Sequence, residues 1–209
     1  MSRVVAAAHP DAIALAVEAL RDGQIVGIPT ETVYGFATLP GEAAIERLIT
    51  LKLRSNEKGI QMMVDSLEQV RYMAVLTEAA ERLAEAFWPG GLTLVLDRRP
   101  DVDLPQLLGG GRPTLGLRLP DHDVPRQLAR QLGPIAASSA NISGQPDATT
   151  AAHVAATFDE EMALILDDGP VRGGVPSTVV DCSSAAEAPR VLREGAISAQ
   201  AIAAALGRD

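Results

Sequence analysis

The stretch PTETVYGFAT, from Pro29 to Thr38, carries three threonines, a glutamate and a tyrosine directly after a short apolar run, Gln24–Ile28. The apolar run predicts a buried strand, because short runs of aliphatic and β-branched residues bounded by turn residues favour strands. Pro29 and Gly35 bracket the polar residues, so the chain is expected to leave the strand here. The segment is either an ordinary strand-to-turn exit or a place where hydroxyl groups face a ligand.

Working outward from this stretch, predicted helices and strands alternate along the chain. This alternation indicates an α/β domain with a mixed sheet, and no internal boundary divides residues 1–209, so a single domain is expected. The predicted helices are Pro10–Arg21, Glu42–Leu51, a short one capped by Ser66, Thr77–Phe87, Val124–Leu132, Thr149–Phe158 and Ser198–Leu206. The predicted strands are Gln24–Ile28, Ile60–Val64, Leu92–Leu96, Thr114–Leu119, Ile135–Ser138, Ala163–Leu166, Thr178–Cys182 and Arg190–Leu192.

Composition limits the classes of function. The 209 residues carry a formal net charge of −9, which argues against a broad surface for nucleic acid but allows a local basic pocket. The single cysteine, Cys182, excludes an internal disulfide and a cysteine-cluster metal site. No apolar run has the length of a membrane span, and the N-terminal residues are expected to lead directly into the first helix. We expect a soluble, cytoplasmic protein.

Common catalytic signatures are absent from the sequence. It has neither the GxxxxGK[ST] phosphate loop nor a GxGxxG turn after a strand, and it lacks the GxSxG nucleophile elbow. The three histidines lack metal-ligand spacing and are predicted to be surface or capping residues. The glycines of the segment Leu107–Pro113 predict a mobile internal loop rather than a phosphate-binding loop.

Five polar segments nevertheless interrupt or end apolar strands. They supply arginine and lysine side chains, which suit carboxylate and phosphate groups, together with short neutral hydroxyl and amide groups. Each segment alone has an ordinary explanation; Arg118, for instance, alternates with leucines and could face solvent. Together they favour a site for a polyanion and a small polar ligand. The segments are Pro29–Gly35, Lys52–Lys58, Thr114–Pro120, Ser138–Gly144, and Pro176–Thr178 with Arg193.

Seven motifs in order give the chain a resemblance to a known family. PTETVYG, KLRSNEK, FWPGGLTLVL, TLGLRLPDH, SSANISG, PSTVVD and VLREGAIS extend from roughly Gln24 to Ser198 and resemble the YrdC family, the threonylcarbamoyl-adenylate synthases. The resemblance implies a twisted sheet of parallel and antiparallel strands with flanking helices around a large, open, basic cavity. It also implies a reaction that joins L-threonine, bicarbonate and ATP into threonylcarbamoyl-AMP and pyrophosphate. The chain resembles the short, single-domain branch of the family.

The resemblance implies a role for each matching residue. Two cations, Lys52 and Arg54, are the implied catalytic residues. Threonine and its carbamate are expected at Thr32, Tyr34, Arg118, Ser139 and Ser177. The nucleotide is expected at Lys58, Thr114, Asn141, Thr149 and Arg193. Mg²⁺ is expected with ATP, because the cations are too few to neutralise ATP and a carbamate together; the sequence has no dedicated carboxylate cage for the ion. The implied partner is a transferase that places the threonylcarbamoyl group on tRNA.

One departure from the family pattern leaves alternatives open. Longer family members carry a histidine in the strand after the cation segment, where this chain has Met63. The chain could therefore be a paralogue that uses another amino acid. It could also be a module that binds tRNA, other double-stranded RNA or the ribosome, although its negative charge and its few aromatic residues disfavour this.

Overall fold

A mixed sheet of ten strands forms the centre of the computed structural model, which describes residues 3–53, 55–158, 161–171, 173–186 and 188–207. The strands are β1 Arg3–Ala6, β2 Val26–Ile28, β3 Gly35–Thr38, β4 Gln61–Met63, β5 Leu92–Asp97, β6 Thr114–Arg118, β7 Ile135–Ser139, β8 Leu164–Asp167, β9 Thr178–Asp181 and β10 Arg190–Arg193. Their order across the sheet is β1-β8-β2-β3-β7-β4-β6-β5-β9-β10. The sheet contains parallel pairs (β1 with β8, β4 with β6) and antiparallel ones (β3 with β7, β5 with β6), so the predicted α/β class with a mixed sheet is confirmed.

Helices flank the sheet, and local sequence signals explain where several of them begin. Ser66, Thr77 and Ser198 each accept a hydrogen bond from the backbone N–H three residues later, at 3.3, 3.2 and 3.1 Å, as N-cap residues do. In the described ranges no helix is both long and apolar enough to cross a membrane. The helices are α1 Ala12–Arg21, α2 Glu42–Leu51, α3 Leu67–Met73, α4 Glu78–Phe87, α5 Asp123–Leu132, α6 Ala151–Phe158 and α7 Ala199–Ala205.

Two apolar clusters hold the layers together. Consecutive residues of β3 pack in different clusters. Phe36 lies in the larger cluster and Ala37 in the smaller one, because neighbouring side chains in a strand point to opposite faces. The larger cluster includes an edge-to-face contact between Phe36 and Phe158, with ring centroids 4.8 Å apart. In the smaller cluster, Leu20 of α1 and Leu128 of α5 are fully buried.

The sequence does not predict two of the strands. Its pattern leads residues Arg3–Ala6 into the first helix, but they form an edge strand that pairs in parallel with β8. Their side chains are mostly exposed, so the strand is stabilised by its pairing with β8 and by the packing of Val5 against the smaller apolar cluster. Strand β3 is the second; all four of its residues are buried, so it lacks the apolar–polar alternation that identifies a half-exposed strand.

The sequence predicts a mobile loop for the glycine-rich segment Leu107–Pro113, but part of this segment lies in a short helix. Gln106–Gly109 form a 3₁₀ helix, and Leu108 O accepts a hydrogen bond from Ile60 N at 2.9 Å. A Cβ atom on Gly110, which has φ of +63°, would overlap the carbonyl oxygen of Glu57. The glycines therefore allow this segment to pack tightly against the end of the cation segment and the residues just after it.

Gly110→Ala should lower the free energy of unfolding by about 3 kcal/mol, because it combines a left-handed backbone with a steric overlap. Gly111→Ala is the matched control: Gly111 also has a left-handed φ of +77°, but its Cβ would meet no atom within 4 Å. It should cost about 1 kcal/mol. Denaturant unfolding of both variants measures the difference. Equal losses would mean that the segment does not pack against Glu57.

Candidate active site

A cavity of about 210 Å³ opens over one face of the central strands. Strand β6 contributes Thr114, Gly116 and Arg118, which share a face because side chains alternate along a strand. Strand β4 contributes Gln61 and Met63 with the same spacing. Neighbouring strands and loops complete the lining with Thr93 and Val95, Ser138 and Ser139, Ser177 and Val179, and Thr30.

Arginine side chains line the cavity although the protein is acidic overall. The described residues that line it include Arg112, Arg118 and Arg193 but no aspartate or glutamate. Burial lowers the pKa of the Arg193 guanidinium; Asp147 opposes this effect, and Arg118 adds to it by charge repulsion. Two guanidinium groups that repel each other would gain from an anion placed between them. The lining therefore suits an anionic ligand that also offers groups for hydroxyl contacts.

Arg118 is the largest buried side chain, with only 2% of its surface exposed. Its Nε donates to Gly90 O at 3.1 Å, and its Nη2 donates to Glu31 Oε1 at 2.7 Å and to Thr32 Oγ1 at 2.9 Å. None of these bonds uses Nη1, so two N–H donors remain at the end of a fixed guanidinium. The alternative interpretation, in which Arg118 faces solvent, is wrong.

The threonine hydroxyl groups of PTETVYGFAT make different hydrogen bonds. Thr30 Oγ1 donates to Val33 O at 2.6 Å and accepts from the backbone N–H groups of Thr32 and Val33, each at 3.2 Å, so it builds the turn. Because the single proton of Thr30 goes to Val33 O, the 2.9 Å bond between Thr30 and Thr32 must have Thr32 as its donor. Thr32 in turn accepts from Arg118. The segment is therefore more than a strand exit: it holds the cation of the site in place.

Glu31 is outside the cavity lining and forms an ion pair with Arg118, and the sequence interpretation gives it no role. Its side chain is 24% exposed, and its Oε1 makes the only ion pair of Arg118 among the described residues. The second oxygen, Oε2, is buried and makes no hydrogen bond there. The signal that could have identified Glu31 is its position between two threonines that both contribute to the same turn.

Lys52 fixes the serine-rich loop. It follows α2 directly, is only 1% exposed, and lies 5.6 Å from the ring centroid of Phe36. Its Nζ donates to Ser139 O, to Asn141 O at 2.9 Å and to Asn141 Oδ1 at 2.7 Å, and its own carbonyl accepts from Ser143 N at 2.9 Å. Lys52 is thus a structural clamp as well as an implied catalytic residue.

A chain of hydrogen bonds crosses the floor of the cavity. Thr93 Oγ1 donates to Gln61 Oε1 at 2.9 Å and lies 2.8 Å from Ser177 Oγ. Arg193 Nη2 donates to Ser177 O at 2.7 Å and contacts Ser177 Oγ at 3.4 Å. The sequence interpretation misses Gln61 and Thr93. A signal exists, since each is a polar residue in an apolar strand, with an apolar cavity-facing residue two positions later.

Tyr34 lies away from the cavity lining. Its side chain is fully buried, and its hydroxyl donates to Gly169 O at 2.8 Å, close to the carboxylate of Asp167. Burial is the main cause that raises the pKa of Tyr34 to about 12, so the hydroxyl stays protonated and keeps this bond near neutral pH. Tyr34 therefore anchors the end of the turn to the residues after β8.

The structure brings part of the predicted site together. Five of the implied residues line the cavity: Thr114, Arg118, Ser139, Ser177 and Arg193. Three more hydrogen-bond to a lining residue: Thr32, Lys52 and Asn141. Tyr34, Lys58 and Thr149 are outside the lining. Arg54 lies outside the described residues. Within the described ranges, no group of three histidine, cysteine, aspartate or glutamate side chains could hold a metal ion.

Glu31→Gln should lower the free energy of unfolding by about 2 kcal/mol, because Arg118 would keep its buried charge without an ionic partner. The matched control is Asp101→Asn, which breaks the Arg99–Asp101 pair whose side chains are 45% and 64% exposed. Solvent screens that pair, so the control should change stability far less. The comparison uses denaturant unfolding. If both variants lose the same stability, Arg118 does not depend on Glu31.

Comparison with known proteins gives the site its context. The model of the Sua5/YciO/YrdC family, whose description reads "Telomere recombination", matches residues 18–195. A protein of Bacillus subtilis named threonylcarbamoyl-AMP synthase is 39% identical over 93% of this chain, and the match covers 56% of that protein. A protein of Chromohalobacter salexigens with the same name is 39% identical over 83% of this chain and 94% of its own.

The fold is also found among solved structures. A structure of Pyrococcus abyssi Sua5 complexed with L-threonine is 37% identical, has a TM-score of 0.90, and covers 100% of this chain and 61% of its own. The chain thus spans little more than half of some relatives and nearly all of others. Family match, sequence identity and fold agree: the chain belongs to the Sua5/YciO/YrdC family.

Proposed function

We propose that the chain is a nucleotidyltransferase that forms threonylcarbamoyl-AMP and pyrophosphate from L-threonine, bicarbonate and ATP. The observation that carries the proposal is the cavity itself, whose described lining combines Arg118 and Arg193 with short hydroxyl groups and contains no carboxylate. The names of the relatives support the reaction, and the L-threonine in the P. abyssi structure supports the amino acid.

The geometry suggests how the two substrates divide the cavity. Arg118 is fixed by three bonds and keeps its Nη1 donors available, which suits the carboxylate of an amino acid. Arg193 and Thr114 suit the phosphates and the nucleoside of ATP. The two guanidinium groups would then hold two anionic substrates next to each other, which supplies proximity. Arg54, Lys52 and Lys58 are proposed to add charge at the phosphates.

The chemistry requires little from protein acids and bases. The amine of threonine combines with carbon dioxide from bicarbonate to give a carbamate, which is anionic. A carbamate oxygen attacks the α-phosphorus of ATP, the new P–O bond forms, and the bond to pyrophosphate breaks. The described cavity lining contains no histidine, cysteine, aspartate or glutamate, which fits a reaction driven by positioning and by preorganised cations.

Magnesium is proposed to enter as part of the ATP complex. The cavity lining offers hydroxyl oxygens but no carboxylate, so the described residues do not fit a resident Mg²⁺ site. The ion would neutralise phosphate charge on the substrate, and the protein would hold that complex through its arginines.

The product is proposed to pass to a transferase that modifies tRNA, in the cytoplasm. A mixed anhydride of a carbamate and a phosphate is reactive, so a second enzyme must consume it directly. Direct contact with tRNA is a weaker proposal. The net charge of −9 makes a broad RNA surface unfavourable.

An amino acid other than threonine is a second candidate for the substrate, because Met63 lines the cavity directly beside Arg118. This thioether cannot make the side-chain hydrogen bond that a histidine would make. A related amino acid with a different side chain is therefore the alternative substrate.

The test of the reaction is mass spectrometry of products formed from ATP, Mg²⁺, bicarbonate and a mixture of amino acids, with pyrophosphate measured in the same samples. The proposal predicts one adduct, threonylcarbamoyl-AMP, with an equal amount of pyrophosphate. Another aminoacyl carbamate adduct would point to the alternative amino acid. A folded protein that binds ATP and gives neither product would contradict the proposal and favour an RNA-binding module.

Arg193→Gln should raise the KM for ATP about tenfold or more, because it removes a charge-assisted contact with the nucleotide. The matched control is Arg190→Gln on the same strand: its guanidinium lies outside the cavity lining, is 71% exposed, and is 3.8 Å from Asp181. The control should keep the KM of the wild-type protein. Steady-state pyrophosphate release measures both variants. Equal KM values in all three proteins would remove Arg193 from the nucleotide site.

A further inference from the structure

Arg112 lines the cavity at the opposite end of β6 from Arg118. Alternate residues of this stretch, from Arg112 through Thr114 and Gly116 to Arg118, all contribute to the lining. Because a strand rises about 3.3 Å per residue, Thr114 is about 13 Å from Arg118, and Arg112 precedes Thr114 by two residues. Arg118 is almost completely buried, whereas Arg112 is exposed. The lining along β6 therefore runs from a buried arginine to an exposed one.

The charge of Arg112 has no ion-pair partner among the described residues. Its Nη2 donates to the backbone oxygen of Glu57 at 3.3 Å, and this is its side-chain contact there. Arg118, in contrast, pairs with Glu31 at 2.7 Å. A guanidinium has five N–H donors, so a contact that uses one of them leaves the others available to an anion. Arg112 can therefore bind an anionic ligand without giving up a partner.

The backbone holds Arg112 next to the cation segment. Its N–H donates to Gly109 O at 3.3 Å, and its side chain contacts Glu57 within that segment. A Cβ atom on Gly59 would lie only 2.7 Å from Leu108 O, so the two stretches of chain pack directly against each other. Gly59 and Gly109 both line the cavity beside Arg112. Arg112 thus lies at the segment whose cations are proposed to act on the phosphates of ATP.

The geometry of the reaction indicates which phosphates point toward Arg112. In a displacement at phosphorus, the attacking and leaving oxygens lie roughly in line, on opposite sides of the phosphorus atom. The amino acid is proposed to bind at Arg118, so its carbamate oxygen attacks the α-phosphorus from that end. The bond from the α-phosphorus to the bridging oxygen breaks on the other side, and pyrophosphate leaves with that oxygen and its electron pair. The leaving group therefore points away from Arg118, toward the end of the lining where Arg112 lies.

We propose that Arg112 binds the β- and γ-phosphates of ATP and the pyrophosphate that they become, without contact to the α-phosphate or the nucleoside. This inference rests on the proposed function and adds to it a residue that the sequence motifs leave without a role. The exposure of Arg112 suits a leaving group, because pyrophosphate must return to solvent, and a solvated charge pair is weaker than a buried one.

The test compares calorimetric affinities for ATP with Mg²⁺, pyrophosphate with Mg²⁺, and AMP in the wild-type protein, Arg112→Gln and Arg99→Gln. AMP has the α-phosphate and the nucleoside but lacks the other two phosphates. Arg99 is the matched control: it is outside the cavity lining and pairs with Asp101, and its neighbour Arg98 donates to Pro113 O at 2.9 Å. Each variant removes one positive charge from the same region, so a long-range effect of charge would appear in both.

Arg112→Gln should weaken the binding of ATP and of pyrophosphate about tenfold, and it should leave the affinity for AMP within about twofold of the wild-type value. Arg99→Gln should keep all three affinities. Arg112→Ala should act like Arg112→Gln, and it keeps the test available if the glutamine variant does not fold.

Three results would overturn the inference: equal weakening of ATP and AMP, unchanged ATP affinity in a folded Arg112 variant, or the same loss of ATP affinity in Arg99→Gln. Absence of ATP binding to the wild-type protein would overturn the proposed function as well, so the two failures are distinguishable.

Discussion

The buried guanidinium of Arg118 is the constraint on which the site depends. Removing such a charge from water costs several kcal/mol unless partners surround it. The fold provides them from two distant places in the chain, the turn at Glu31 and Thr32 and the carbonyl of Gly90. These contacts fix where the turn after β2 and the loop before β5 must lie relative to β6. The cavity forms at the one edge of the guanidinium that none of these partners uses.

Contacts within the chain also hold other polar groups of the site in place. Lys52 clamps the loop that carries Ser139, and the chain from Gln61 to Ser177 sets the direction of a hydroxyl group. Groups that are already oriented need no reorganisation when charge develops in a reaction. Positive charge is concentrated in the cavity of an otherwise acidic protein, which favours small anionic ligands over extended polyanions.

The sequence predicts the helices and the regular strands well, because apolar periodicity and caps such as Ser66 are local signals. It fails at β1, which depends on pairing with β8, and at β3, which is buried on both faces. The site shows the same difference between local sequence signals and long-range contacts. Arg118, Ser139 and Ser177 have roles implied by their motifs and do line the cavity. Glu31, Gln61 and Thr93 have no implied role, because they act through partners far away in sequence. Tyr34 belongs to a motif yet packs behind the site, because its ring completes the core.

The most direct test of the account is a crystal structure of the protein soaked with L-threonine. The threonine carboxylate should lie at hydrogen-bond distance from Arg118 Nη1, with the contact between Arg118 and Glu31 intact. Threonine bound outside this cavity, or in it with its carboxylate away from Arg118, would contradict the central claim that this buried cation recognises the amino acid.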